Sequence, residues 1–228
     1  MPEYRRANVP GGTYFFTVNT FRRTKIFTRE PFRIALRDGI ELAHATLPFT
    51  IVAWVLMPEH LHCIWRLPEG DADFSKRWAI IKRAVSKQCG HLVELDMALS
   101  ESRLARKESV VWQRRFWEHQ IRDDLDLQRH VDYIHYNPVK HGHVASVADW
   151  PYSTFHRYVQ QGIYLPDWAG AADDVRVNVG CISWCQFRPT FGWLRIAYLW
   201  HTMVHKVHPI NSERTKKVCR VHFMHHGA

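Results

Sequence analysis

The sequence lacks any apolar run long enough to cross a bilayer. Its longest uninterrupted stretch, around Ile51 to Met57, falls far short of the ~20 residues a spanning helix needs. The opening Met-Pro-Glu-Tyr-Arg-Arg has no apolar stretch behind its basic pair to serve as a secretion signal. Cysteine is sparse and odd in number: Cys63, Cys89, Cys181, Cys185 and Cys219 do not make the paired framework of a small secreted domain. No internal repeat is present. These absences predict a cytoplasmic, soluble protein with no membrane partner. With 46% hydrophobic and 23% charged residues, neither disorder nor a coiled coil is expected. A length of 228 residues suits one main domain with an appendage.

Positive charge, in contrast, is abundant. Thirty-one Lys and Arg against 22 Asp and Glu leave +9, with 16 His in reserve. That balance favours a polyanionic partner, although a solvated basic surface would give the same total. Ten Trp side chains can stack on bases or fill a core. The charge is also uneven. Residues 171–228 carry eight Lys/Arg, three Asp/Glu, three of the five Cys and six of the 16 His. A boundary near Gly170 therefore separates a main domain, 1–170, from a basic His/Cys-containing C-terminal extension, 171–228.

Hydrophobic periodicity orders the elements of the main domain. A Gly-Gly turn leads into a β-rich run over 11–20, and apolar residues at helical spacing follow over 31–46. Two short β-rich runs, 49–57 and 61–67, flank Pro58-Glu59-His60 and read as a hairpin-like pair. A helix is predicted over 71–90, a loop or marginal helix over 91–109, and a strand over 110–117. Asp123 is placed to cap a last helix that Pro138 stops at about Asn137. The order β-α-β-β-α-β-α predicts an α+β fold of ferredoxin-like type, helices packed on an antiparallel sheet.

Two motifs can carry chemistry. His60-Leu61-His62 places two imidazoles on one face of a strand, because residues two apart project together. Paired neutral imidazoles are ready ligands for a divalent metal. With 16 His, about one His-x-His is expected by chance, and His141-Gly142-His143 is a second instance. Context separates them: His60 and His62 open an apolar strand, whereas His141 and His143 follow the expected helix stop. The second motif puts Tyr133 and Asn137 four apart, on one helical face. Tyr133 can serve there as a nucleophile and Asn137 as an oxygen ligand, or Tyr133 can be an ordinary helix–sheet boundary residue. Tyr136, three residues on, competes for the nucleophile's place. A divalent ion would neutralise charge developing on a phosphoryl group attacked by a phenol. A mixed nitrogen and oxygen site suits Mn²⁺ at least as well as Mg²⁺.

The segment Trp54-Val55-Leu56-Met57-Pro58-Glu59-His60-Leu61-His62-Cys63-Ile64-Trp65 resembles the His-hydrophobic-His (HUH) motif of single-tyrosine transposases. Further runs are similar to one branch of them, the REP-associated tyrosine transposases: Trp112-Gln113-Arg114-Arg115-Phe116-Trp117-Glu118-His119, Val131-Asp132-Tyr133-Ile134, Asn137-Pro138-Val139-Lys140-His141-Gly142 and Asp149-Trp150-Pro151-Tyr152-Ser153. The likeness runs collinearly from residue 1 to about 170. It implies the ferredoxin-like HUH fold and a metal-dependent tyrosine transposase, an endonuclease and strand-transferase of single-stranded DNA. Its partner would be a repetitive extragenic palindrome (REP) folded as a hairpin. It also implies His60 and His62 as ligands of Mg²⁺ or Mn²⁺, Tyr133 as the nucleophile that forms a 5′-phosphotyrosine link, and Asn137 as the third ligand, where related enzymes carry Gln. A monomer is the oligomeric state that the likeness suggests.

Arg5, Arg6, Arg114, Arg115 and Arg122 are the candidates for phosphate or base contacts, since guanidinium groups fork onto guanine edges and flexible arms enter grooves. In the extension, Cys181, Cys185, Cys219 and His222 have a loose zinc-like pattern with an atypical first spacing. Two other functions compete with the transposase: a domesticated DNA-hairpin-binding protein without cleavage, and a zinc-stabilised RNA-binding module.

Overall fold

The computed structural model describes residues 8–93, 105 and 109–168. Within them strands β1 (Thr13–Asn19), β2 (Thr50–Leu56), β3 (His60–Arg66) and β4 (Trp117–Gln120) form one sheet. Helices α1 (Glu30–Thr46), α2 (Phe74–Cys89), α3 (Asp124–Lys140) and α4 (Phe155–Gln160) accompany them. The sheet order is β2-β3-β1-β4 with every neighbouring pair antiparallel, the ferredoxin-like arrangement expected from the element order. No described helix is long and apolar enough to cross a membrane.

Strand pleating sorts the side chains onto two faces. Tyr14 and Phe16 of β1 point toward Phe74 of α2, and Trp65 of β3 stacks on Trp78 with ring centroids 4.3 Å apart. Helices α1 and α2 cover this face, and they approach closely at Gly39. A Cβ there would stand 3.2 Å from the Ile81 carbonyl oxygen. The only fully buried guanidinium among the described residues, Arg77, is satisfied by Asp71 at 2.6 and 3.2 Å and by the carbonyls of Leu47, Pro48 and Asp73.

The opposite face carries a second core, in which Phe15, Ala53, Val55 and Ile64 of the sheet meet Leu127, Val131 and Ile134 of α3. The chain after α3 returns along β2. Ser153 bridges to Val55, Leu56 N–H donates to the Tyr152 carbonyl, and Thr154 Oγ1 accepts from Trp54 N–H, so the outer edge of β2 is covered. Burial pushes the imidazole of His135 on α3 down to about 3, so the ring is neutral where it meets Thr154 Oγ1 at 3.0 Å.

Two expectations are corrected. Residues 110–116 form a loop, and the strand begins at Trp117, where the earlier one was expected to end. The apolar density that imitates a strand belongs to anchors: Val111 and Trp112 are buried, and the loop is tied to the sheet's end by Phe21 N–H to the Val111 carbonyl and Gln113 N–H to the Asn19 carbonyl. Helix α3 also runs past Pro138 to Lys140. Pro138 sits in the last turn, where one lost donor is tolerated. Asn137 O then accepts from His141 N–H, and Gly142, at φ +69°, ends the helix in the left-handed region.

Candidate active site

His60 and His62 are the first and third residues of β3, and both point toward α3, with rings 4.8 Å apart. They are 2% and 4% exposed. One nitrogen of each ring is already engaged. Nδ1 of His60 donates to the Glu59 carboxylate at 2.8 Å, and Nδ1 of His62 lies 2.9 Å from Oγ1 of Thr17, its cross-strand partner on β1. These outer contacts fix the ring orientations and leave Nε2 of each available to a cation, the usual arrangement of metal-binding histidines. Burial pushes His60 below its ordinary range against the opposing pull of Glu59. His62 is driven well below, by burial first and then by His60, His141, Lys140 and Arg23. Both are therefore neutral at pH 7, the protonation state a metal requires.

Helix α3 supplies the other half of the site. Asp123 caps it, accepting from Asp126 N–H at 2.8 Å, and the Leu127/Val131/Ile134 stripe seats it on the sheet. Tyr133, Asn137 and His141 follow at one-turn intervals along a neighbouring stripe. The Tyr133 ring lies 5.2 Å from that of His62, and His141 lies 5.4 Å from His60. Asn137, one turn from each, is fully buried, and neither Oδ1 nor Nδ2 has a hydrogen-bond partner. Two neutral imidazoles and an orphaned buried amide oxygen fit a divalent cation of mixed nitrogen and oxygen preference. Tyr133 stays 37% exposed beside them, open to a ligand from solvent.

Other side chains at this site escaped the sequence analysis. Thr17 and Glu59 orient the histidines. Lys140 Nζ stands 4.8 Å from the centre of the Tyr133 ring. Arg22 and Arg23 hold φ of 54° and 57°, uncommon for non-glycine residues, and the charge of Arg23 is felt by both histidines. A helix stop at Pro138 would leave His141 in a loop; the longer helix carries it to His60. A second cluster was also missed: His119 of β4 and His130 of α3 share the Asp126 carboxylate at 2.9 and 3.1 Å, with ligand atoms close enough together to hold a metal.

Arg114 and Arg115 are exposed in the loop entering β4, and Arg122 is exposed ahead of α3, with Nε 3.8 Å from Asp126. Arg5, Arg6, Cys181, Cys185, Cys219 and His222 lie outside the described residues.

No family model matches the chain. A REP-associated tyrosine transposase of Escherichia coli (strain K12) is 46% identical over 183 residues, 80% of this chain and 100% of that protein. A relative from Haemophilus influenzae, assigned to the same transposase group, is 44% identical over 176 residues, 76% of this chain and 96% of its own. A solved structure of a REP-associated tyrosine transposase bound to a REP hairpin superposes with a TM-score of 0.64. It is 49% identical and covers 76% of this chain and 94% of that one.

Proposed function

Since the chain belongs to the REP-associated tyrosine transposases, we propose that it cleaves and rejoins single-stranded DNA at REP-type hairpins. Tyr133 is the nucleophile, and His60, His62 and Asn137 hold a divalent cation, Mg²⁺ or Mn²⁺. The observation that carries this reading is the Tyr133 ring 5.2 Å from His62, with the unpartnered Asn137 amide one turn further along the same helix.

The chemistry follows from the positions. Tyr133 Oη attacks a phosphodiester phosphorus and gives up its proton, the bond from phosphorus to the 3′-oxygen breaks, and that oxygen leaves protonated as a 3′-hydroxyl. The downstream strand stays on Tyr133 as a 5′-phosphotyrosine. The link conserves the phosphodiester's energy, so a later 3′-hydroxyl can displace it without ATP. When bound, the cation supplies a Lewis acid for the phosphoryl oxygens. Thr17 and Glu59 hold the imidazoles in their orientation, and Lys140 holds a positive charge at the Tyr133 ring, where phosphate arrives. Arg5, Arg6, Arg114, Arg115 and Arg122 contact the DNA. The catalytic unit is residues 1–170, acting as a cytoplasmic monomer, with 171–228 a separate extension.

Denaturing electrophoresis tests the reading. Mixed with a single-stranded hairpin from its own genome and Mn²⁺, the protein should form an adduct that survives SDS. Tyr133→Phe should remove the adduct while hairpin affinity stays within about twofold, since only a hydroxyl is lost. His60→Ala or His62→Ala should remove Mn²⁺-dependent cleavage from a folded protein. Binding with no cleavage by the unaltered chain would instead identify a domesticated hairpin binder.

A further inference from the structure

An open cleft of about 360 Å³ borders the catalytic site between β1, β4 and α3, lined by Phe15, Thr17, Trp117, Arg129, His130 and Tyr133. We propose that this cleft seats one unpaired nucleobase of the DNA strand, stacked on Trp117, next to the phosphate that Tyr133 attacks. The proposal rests on the transposase reading and deepens it by naming a base subsite.

Sheet register sets the distance. Val55, His62, Thr17 and Trp117 are successive cross-strand partners on β2, β3, β1 and β4. Trp117 therefore lies two strand spacings, roughly 10 Å, from the histidine that meets Tyr133. A nucleotide with its phosphate at Tyr133 can reach that far with its base.

Trp117 is also unusual in its own surroundings. Trp54, Trp65, Trp78, Trp112 and Trp150 are buried, whereas Trp117 is 50% exposed although its strand is part of the sheet. Its plane is held in place. The ring is nearly parallel to His119, with 8° between planes at 6.0 Å, and His119 is stacked on His130 at 4.7 Å with 13° between planes. Asp126 ties both imidazoles, contacting His119 Nε2 at 2.9 Å and His130 Nδ1 at 3.1 Å. The flat wall is therefore built before a ligand arrives, which lowers the ordering cost of binding. Its lining also suits a base: aromatic faces dominate, the Thr17 hydroxyl lies between Trp117 and His62, and Arg129 supplies the single guanidinium. The cleft is large enough for one base, near the lower end of ordinary small-ligand sites.

The test uses the full chain with hairpins in which 2-aminopurine replaces each nucleotide of the single-stranded foot in turn. One position beside the scissile phosphate should lose fluorescence on binding. Trp117→Ala should restore that fluorescence and weaken binding about tenfold, and Trp117→Phe should retain part of both effects. An abasic nucleotide at the same position should weaken binding by the unaltered protein about equally, yet make no further difference to Trp117→Ala. A merely structural Trp117 would not produce that position-specific coupling. If the hairpin is bound and cleaved but no position depends on Trp117, the base subsite is overturned and the transposase reading stands. If the unaltered chain neither binds nor cleaves any hairpin, both fall together.

Discussion

A buried carboxamide with neither polar atom satisfied, as at Asn137, costs about 1–3 kcal/mol of stability. Proteins retain such costs where the group works on a ligand. Asn137→Leu, which keeps the branching at Cγ and replaces both polar atoms by methyl groups, should therefore raise the melting temperature of the metal-free protein by a few degrees, equivalent to about 1 kcal/mol. The same variant should lose the stabilisation that Mn²⁺ gives the unaltered chain in a thermal scan. Equal destabilisation with and without Mn²⁺ would make Asn137 an ordinary core residue. At this scale the sequence was informative where spacing alone makes neighbours. His60 and His62 share a face by strand period, and Tyr133 and Asn137 by helical period. Thr17, Arg23, Lys140 and His141 were not legible, because their closeness to the histidines comes from sheet register and from how far α3 extends.

Helix α2 is anchored by the ion pair of Arg77 with Asp71, at the chain's entry into the helix. Asp71→Ala would leave the buried guanidinium with carbonyl partners only. We expect a loss of about 3 kcal/mol in denaturant unfolding, the low end for a broken buried pair because Asp71 is partly solvated. The pH dependence has a definite sign. The hydrogen bond from Arg77 holds the Asp71 carboxyl below its usual range. Its stabilisation is thus fully present above the unfolded carboxylate value of ~3.9 and is lost as pH falls through the lower folded value. The unaltered protein should lose stability below about pH 4 more steeply than Asp71→Ala. Elements of this kind were readable: the helix over 71–90, the Asp123 cap, the apolar stripes and the hairpin all lie in local pattern. Strand β4 was not, because Trp-Glu-His-Gln has little β-patterning and gains its place from pairing with β1, whereas the apolar residues just before it are loop anchors. The end of α3 was missed because a proline in the last turn costs one hydrogen bond, which burial of the apolar Ile134 and Pro138 side chains offsets.

The whole molecule carries +9, and under the proposed function that charge serves a strand already unpaired where it is cut. A continuous duplex would have to open first, at roughly 1.4 kcal/mol per stacked step. A hairpin with a single-stranded foot should therefore be bound and cleaved, and its fully paired counterpart left essentially uncut. Binding should weaken steeply with salt, and each stem-phosphate contact removed by an Arg→Ala change at 114, 115 or 122 should lessen the logarithmic salt slope by about 0.9. Tighter binding of the equivalent RNA would favour the RNA-module alternative. The fold class was legible at this scale from the element order alone. The family was legible only from several motifs in collinear order, since a lone His-x-His arises by chance in a chain with 16 His.

The polarity of the covalent link tests the central claim most directly. Hairpin DNA labelled at either its 3′ or its 5′ end is incubated with the protein and Mn²⁺, the SDS-resistant adduct is isolated, and its modified peptide is fragmented in a mass spectrometer. The account predicts that the 3′ label stays with the protein, that the 5′-labelled piece is released with a free 3′-hydroxyl, and that the nucleotide is attached to Tyr133. Retention of the 5′ label, or attachment at Tyr136, would contradict it.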